Sequence, residues 1–196
     1  MTHMIRKYIR GFTGADVLRC ILFFCPYLLP LIWVKPWLAT SSKPEYVFEW
    51  IIVNSIFVII ILICDRKRIL PFLNKEMYTL YPVFQKKWYL ITIYSLIGSA
   101  VFEELFFRAF VPKSNALISL LLSITLFVLS HYIQKPTRNK FSTRDYINLT
   151  SISTVFYVSL MISGSIIPSI IGHLIYNSTK IIGATMQYYI TNKIEE

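Results

Sequence analysis

Apolar residues in this chain come in blocks of membrane-spanning length, separated by short stretches rich in Lys, Arg and Pro. A transmembrane helix needs roughly 17–25 mostly apolar residues. Six blocks approach that length: Val17 to Val34, Tyr46 to Cys64, Trp88 to Val111, Ala116 to Ile133, Tyr146 to Ser163 and Ile166 to Ile190. Lipid offers no hydrogen bonds, so each block must pair its own backbone groups. The pattern predicts an all-α polytopic bundle of about six spans. Arg19, Pro26 and Pro30 interrupt the first block, and no small-residue cleavage site follows it. It therefore reads as a kinked first helix rather than a signal peptide. Residues 69–87 mix apolar, aromatic and basic positions with Pro71 and Pro82, as an interfacial segment between spans two and three would. The stretches Pro112-Lys113-Ser114-Asn115 and Gly164-Ser165 read as turns. The chain is read as one membrane domain, 1–196, in which 1–87 supply N-terminal helices and the interfacial segment.

Composition sharpens this picture. The chain is 55% hydrophobic with mean hydropathy +0.56, and only 15% of its residues are charged. A soluble domain would carry about a quarter charged residues. The net charge of +10 does not point to nucleic acid, because the basic residues sit between the apolar blocks. Of the 20 Lys and Arg residues, 14 lie in the N-terminus, the 65–87 segment, the 134–145 loop and the C-terminal tail. The alternate loops hold Lys35, Lys43 and Lys113. That asymmetry predicts an integral membrane protein with both termini cytoplasmic, its basic loops near anionic lipid. Cys20, Cys25 and Cys64 show no metal-type spacing and read as buried apolar residues.

Against this background the hexapeptide Glu103-Glu104-Leu105-Phe106-Phe107-Arg108 stands out. Charges in hydrocarbon are costly and are kept where they have a partner or a function. Glu104 and Arg108 are four apart and share a helical face. Glu103 lies about 100° round the helix. One carboxylate is thus neutralised structurally, and the other is a candidate general base or a further partner for Arg108 or Arg19. Two later blocks carry histidines: Phe127…His131, and His173…Asn177 with Lys180 seven residues after His173. At about 1.5 Å per residue, Glu103 and His173 lie roughly 12–13 Å from the expected membrane edge, and His131 roughly 22 Å. A shared site requires helices that tilt or kink. Ser130 neighbours His131 but points to another face, and Tyr176 reads as turned away from the motif residues.

The three motifs E-E-x-x-F-R, F-x-x-x-H and H-x-x-x-N, in order on successive apolar segments, resemble the CPBP family. These are the CAAX-protease and bacteriocin-processing (Abi) intramembrane endopeptidases. The matching residues are Glu103, Glu104, Phe107, Arg108, Phe127, His131, His173 and Asn177, within a core of residues 88–191. Ala109 stands where the family often has glycine. The resemblance implies that Glu103 and His131 activate a water, and that His173 and Asn177 donate hydrogen bonds to the oxyanion. Glu104, Arg108, Phe107 and Phe127 would support them. It also implies a peptide or lipidated protein substrate, no nucleic-acid partner, and a bacterial cell membrane as the setting. No cofactor is favoured. If zinc were bound, Glu103, His131 and His173 would be its ligands. A non-enzymatic bacteriocin-immunity or peptide-binding role and a small transporter are the competing readings. The motif-proximal turns are expected outside, whereas a prenyl-type protease would accept a cytosolic tail, so the side of access stays open.

Overall fold

The structure, a computed structural model, describes residues 14–29, 44–112 and 115–193, and among them there is no strand. The helices are α1 (Gly14–Leu28), α2 (Pro44–Cys64), α3 (Arg66–Ile69), α4 (Lys75–Tyr78), α5 (Lys86–Glu104), α6 (Ala116–Ile133), α7 (Lys135–Arg138), α8 (Thr143–Ser163) and α9 (Ile167–Lys193). A 3₁₀ turn, Leu70–Leu73, joins α3 to α4, and a π-helical turn, Leu105–Ala109, continues α5. The end of the first apolar block, Lys35, Lys43, Lys113 and the side chains of Arg19 and Cys20 lie outside the described residues.

Among the described residues, four helices are long and apolar enough to cross a membrane: Glu45–Cys64, Lys86–Ala109, Ala116–Ile133 and Thr143–Ser163. The expected count of about six is not confirmed by length and composition. The described part of α1 is 15 residues long. Helix α9 has 27 residues, but it carries the polar residues of the third motif and falls short in apolar character. It need not be apolar all round, because it packs between α2 and α5 and also meets α8. The outer helices instead present Ile52, Ile56, Ile63, Leu117, Leu121 and Leu129 outward, the side lipid would cover.

Small residues let α9 sit at the centre. A Cβ on Gly172 would lie 2.7 Å from Phe156 and 3.2 Å from Asn54, so only glycine permits this approach to α8 and α2. Polar side chains tie the seam together. Buried Asn54 donates to Ser159 Oγ (3.1 Å), and Ser169 donates to the Phe156 carbonyl (3.0 Å). Gly164, at φ 67°, ends α8 and makes the turn into α9.

Residues 69–87 lie along the bundle as short turns that pack on α9, in keeping with an interfacial segment. Leu70, Phe72, Leu80 and Tyr81 are exposed there. At this basic end ion pairs join α2 and α3 to α8. Arg68 binds Asp145 through two bonds (2.7 and 3.0 Å), and Arg144 Nε lies 2.7 Å from Asp65. The bonds to Asp145, and then its charge, hold the Arg68 guanidinium above its ordinary pKa. Cys25 and Cys64 are exposed rather than buried, which corrects their reading as core residues. On a membrane helix, the outward face is the apolar one, so a small hydrophobe fits there equally well.

Candidate active site

The acidic hexapeptide spans the end of α5 and the π-turn. Phe110 N donates to Leu105 O (3.1 Å), the i→i+5 bond of a π-helix, a feature frequent at functional sites. Through this turn Arg108 still meets Glu104, Nε to Oε2 at 3.3 Å, and both side chains are wholly buried. The guanidinium also lies over the Phe127 ring, 4.4 Å from its centroid, a cation–π contact. Phe107 packs edge-on to Phe127 (5.4 Å), and both join Leu149 in a buried apolar cluster. Glu104, Arg108, Phe107 and Phe127 thus form an ion pair roofed by aromatic rings.

Glu104 does more than neutralise Arg108. Its second oxygen, Oε1, lies 2.9 Å from His173 Nδ1. A carboxylate accepts, so His173 donates from Nδ1 and turns Nε2 away from Glu104. The carboxylate therefore links the α5 motif to the α9 motif. The sequence spacing pairs Glu104 with Arg108 but gives no hint of this third partner.

Glu103 faces the other way. Its Oε2 lies 4.0 Å from His131 Nε2 and makes no hydrogen bond among the described residues. His131 Nδ1 lies 2.9 Å from the Phe127 carbonyl. A carbonyl only accepts, so Nδ1 carries the proton, and the neutral ring has its lone pair on Nε2, facing Glu103. The Thr137 hydroxyl donates to the His131 carbonyl, and Phe141 stacks on the ring at 6.1 Å. Ser130 bonds back to the Phe127 carbonyl (2.7 Å).

Asn177 Nδ2 donates to Leu96 O (2.9 Å) and Ser99 Oγ (3.1 Å), both on α5. Its two amide protons are occupied in this arrangement, and Oδ1 is left as an acceptor.

Glu103, His131, His173 and Asn177 all line one cavity of about 350 Å³, despite the unequal depths expected of them. Gln134, Thr137, Lys140 and Phe141 of the basic connection form another of its walls. Spacing missed two lining residues whose signal was present. Ser99 precedes Glu103 by four and Tyr176 follows His173 by three, and such neighbours share a helical face. The expectation that Tyr176 faces elsewhere is therefore corrected. Among the described residues, no three His, Cys, Asp or Glu side chains converge as metal ligands.

Residues 85–179 match the family model described as "Type II CAAX prenyl endopeptidase Rce1-like". The matched stretch contains all three motifs and the whole ion-paired core around Arg108. Neither a curated protein nor a solved structure matches the chain.

Proposed function

We propose, from the match of residues 85–179 to the model of Rce1-like type II CAAX prenyl endopeptidases, that the chain hydrolyses a peptide bond near the C-terminus of a membrane-associated, lipidated substrate. The observation that carries this reading is the facing pair Glu103 and His131, 4.0 Å apart in a cavity that His173 and Asn177 also line. A polar separation beyond about 3.5 Å is one that a water can bridge. A water held between Glu103 and His131 Nε2 meets two acceptors. Glu103 takes its proton as the oxygen attacks the carbonyl carbon, and His131 orients the second O–H. The C–N bond then breaks as the proton held by Glu103 passes to the leaving amine, which restores the carboxylate.

His173, fixed by Glu104, presents Nε2 toward the carbonyl oxygen and in its imidazolium form donates to the developing oxyanion. Asn177 joins it by exchanging its bond to Ser99 for one to substrate. In the form seen here, its clearer task is to hold α9 against α5.

The lining of the cavity by residues 134–141 supports access from the basic end of the bundle. By the positive-inside rule that end is cytoplasmic, which would let a cytosolic tail enter although α6 begins at the far end.

The test uses the full chain in liposomes with a farnesylated peptide ending in C-a-a-X, with products identified by mass spectrometry. Cleavage after the modified cysteine by the native chain, lost in His131→Ala, is the expected result. Equal cleavage by the His131→Ala protein would overturn the assignment of the base pair.

A further inference from the structure

A second cavity, of about 600 Å³, adjoins the first. It lies between α9, the end of α2 and the interfacial turns, with Phe72, Tyr78, Tyr81 and Phe84 among its apolar walls. Three residues line both spaces: Lys140, Tyr176 and Lys180. Lys180 therefore stands at the junction, on the same helix as His173 and Asn177. Among the described residues no carboxylate lies within ion-pair distance of it. Glu103 and Asp145 act on it only through their fields, and its ammonium rests 5.6 Å above the Tyr176 ring. The acids that line the larger cavity, Asp65 and Asp145, are paired with Arg144 and Arg68, so the exposed Lys180 ammonium, between its aromatic walls and the first cavity, is placed to receive an anion.

Resting on the protease reading above, we propose that Lys180 is the specificity-determining anchor for the free α-carboxylate at the substrate's C-terminus. The spacing fixes how far that terminus lies from the cleaved bond. Lys180 follows His173 by seven residues, so it sits on nearly the same face about 10.5 Å further along α9. An extended peptide covers about 3.3–3.6 Å per residue. The carboxylate then falls about three residues beyond the carbonyl held at His173, which is the separation in a C-a-a-X end cleaved after its cysteine. The apolar side chains of those three residues would lie against the aromatic walls of the larger cavity. A longer or amidated tail would leave the ammonium unpaired.

The experiment measures binding rather than turnover, so that it stands apart from the chemistry. The full-length Glu103→Gln protein in detergent is titrated with a fluorescent farnesylated C-a-a-X peptide, as the free acid and as the C-terminal amide. A charge-assisted contact predicts affinity for the acid about tenfold higher or more. The added change Lys180→Met should equalise the two affinities, and Lys180→Arg should keep the acid preference. Thermal unfolding of each variant checks the fold. Three outcomes would each overturn the proposal: equal binding of acid and amide by the Glu103→Gln protein, no binding of either, or an equal loss for both peptides in Lys180→Met. The last is the signature of a lipid phosphate or a merely structural cation. Cleavage of the acid peptide by the native chain is scored separately, so the protease reading can survive the failure of this one.

Discussion

At the residue scale, adjacent glutamates meet different surroundings. Glu104 is fully buried and shared between Arg108 and His173, whereas Glu103 borders the cavity with an oxygen that no group among the described residues satisfies. Replacing Glu104 by Ala takes a buried carboxylate from both Arg108 and His173 and should cost about 3–5 kcal/mol of stability. Glu103→Gln removes no such partner and should leave the unfolding temperature nearly unchanged. Thermal unfolding of the two variants side by side checks this contrast, and equal destabilisation would contradict it. The division between the two acids was legible in the sequence, since i, i+4 spacing assigns Arg108 to Glu104. The bond from His173 to Glu104 was not, because it joins residues 69 positions apart and depends on how α9 packs.

At the element scale, helix boundaries followed the apolar pattern closely where caps are strong. Block four matches α6, whose start is fixed by Asn115 accepting from Leu117 N and Ile118 N. Block five was read from Tyr146, but α8 begins at Thr143, where Ser142 and Asp145 form a capping box. That signature was available in the sequence. The π-turn was not legible, because its residues have the composition of ordinary helix. Packing gives a second prediction. Gly172→Val places side-chain carbon against Phe156 and Asn54. Overpacking of this kind costs about 1–3 kcal/mol, and it pushes on the residue next to His173. The variant should lose stability and most of its cleavage activity together. Native-like turnover with a native unfolding temperature would show that the α9 seam is looser than described.

At the scale of the whole molecule, α9 acts as a polar spine held by more apolar helices. This explains why α9, though 27 residues long, is not among the four helices that qualify as spans by length and composition among the described residues. Lys and Arg placement predicts that the cavity mouth faces the cytoplasm. A single cysteine at Lys140, in a background without Cys20, Cys25 and Cys64, should react with a membrane-impermeant maleimide only in inside-out vesicles. Reaction only in right-side-out vesicles would reverse the orientation.

The account stands or falls on Glu103 as the working base. The most direct measurement is the ratio of turnover numbers for native and Glu103→Gln protein, both verified as folded, on one farnesylated C-a-a-X peptide in the same liposomes. The account predicts a fall of about 10²–10⁴-fold, the range for loss of a general base; turnover within a few-fold of native would contradict it.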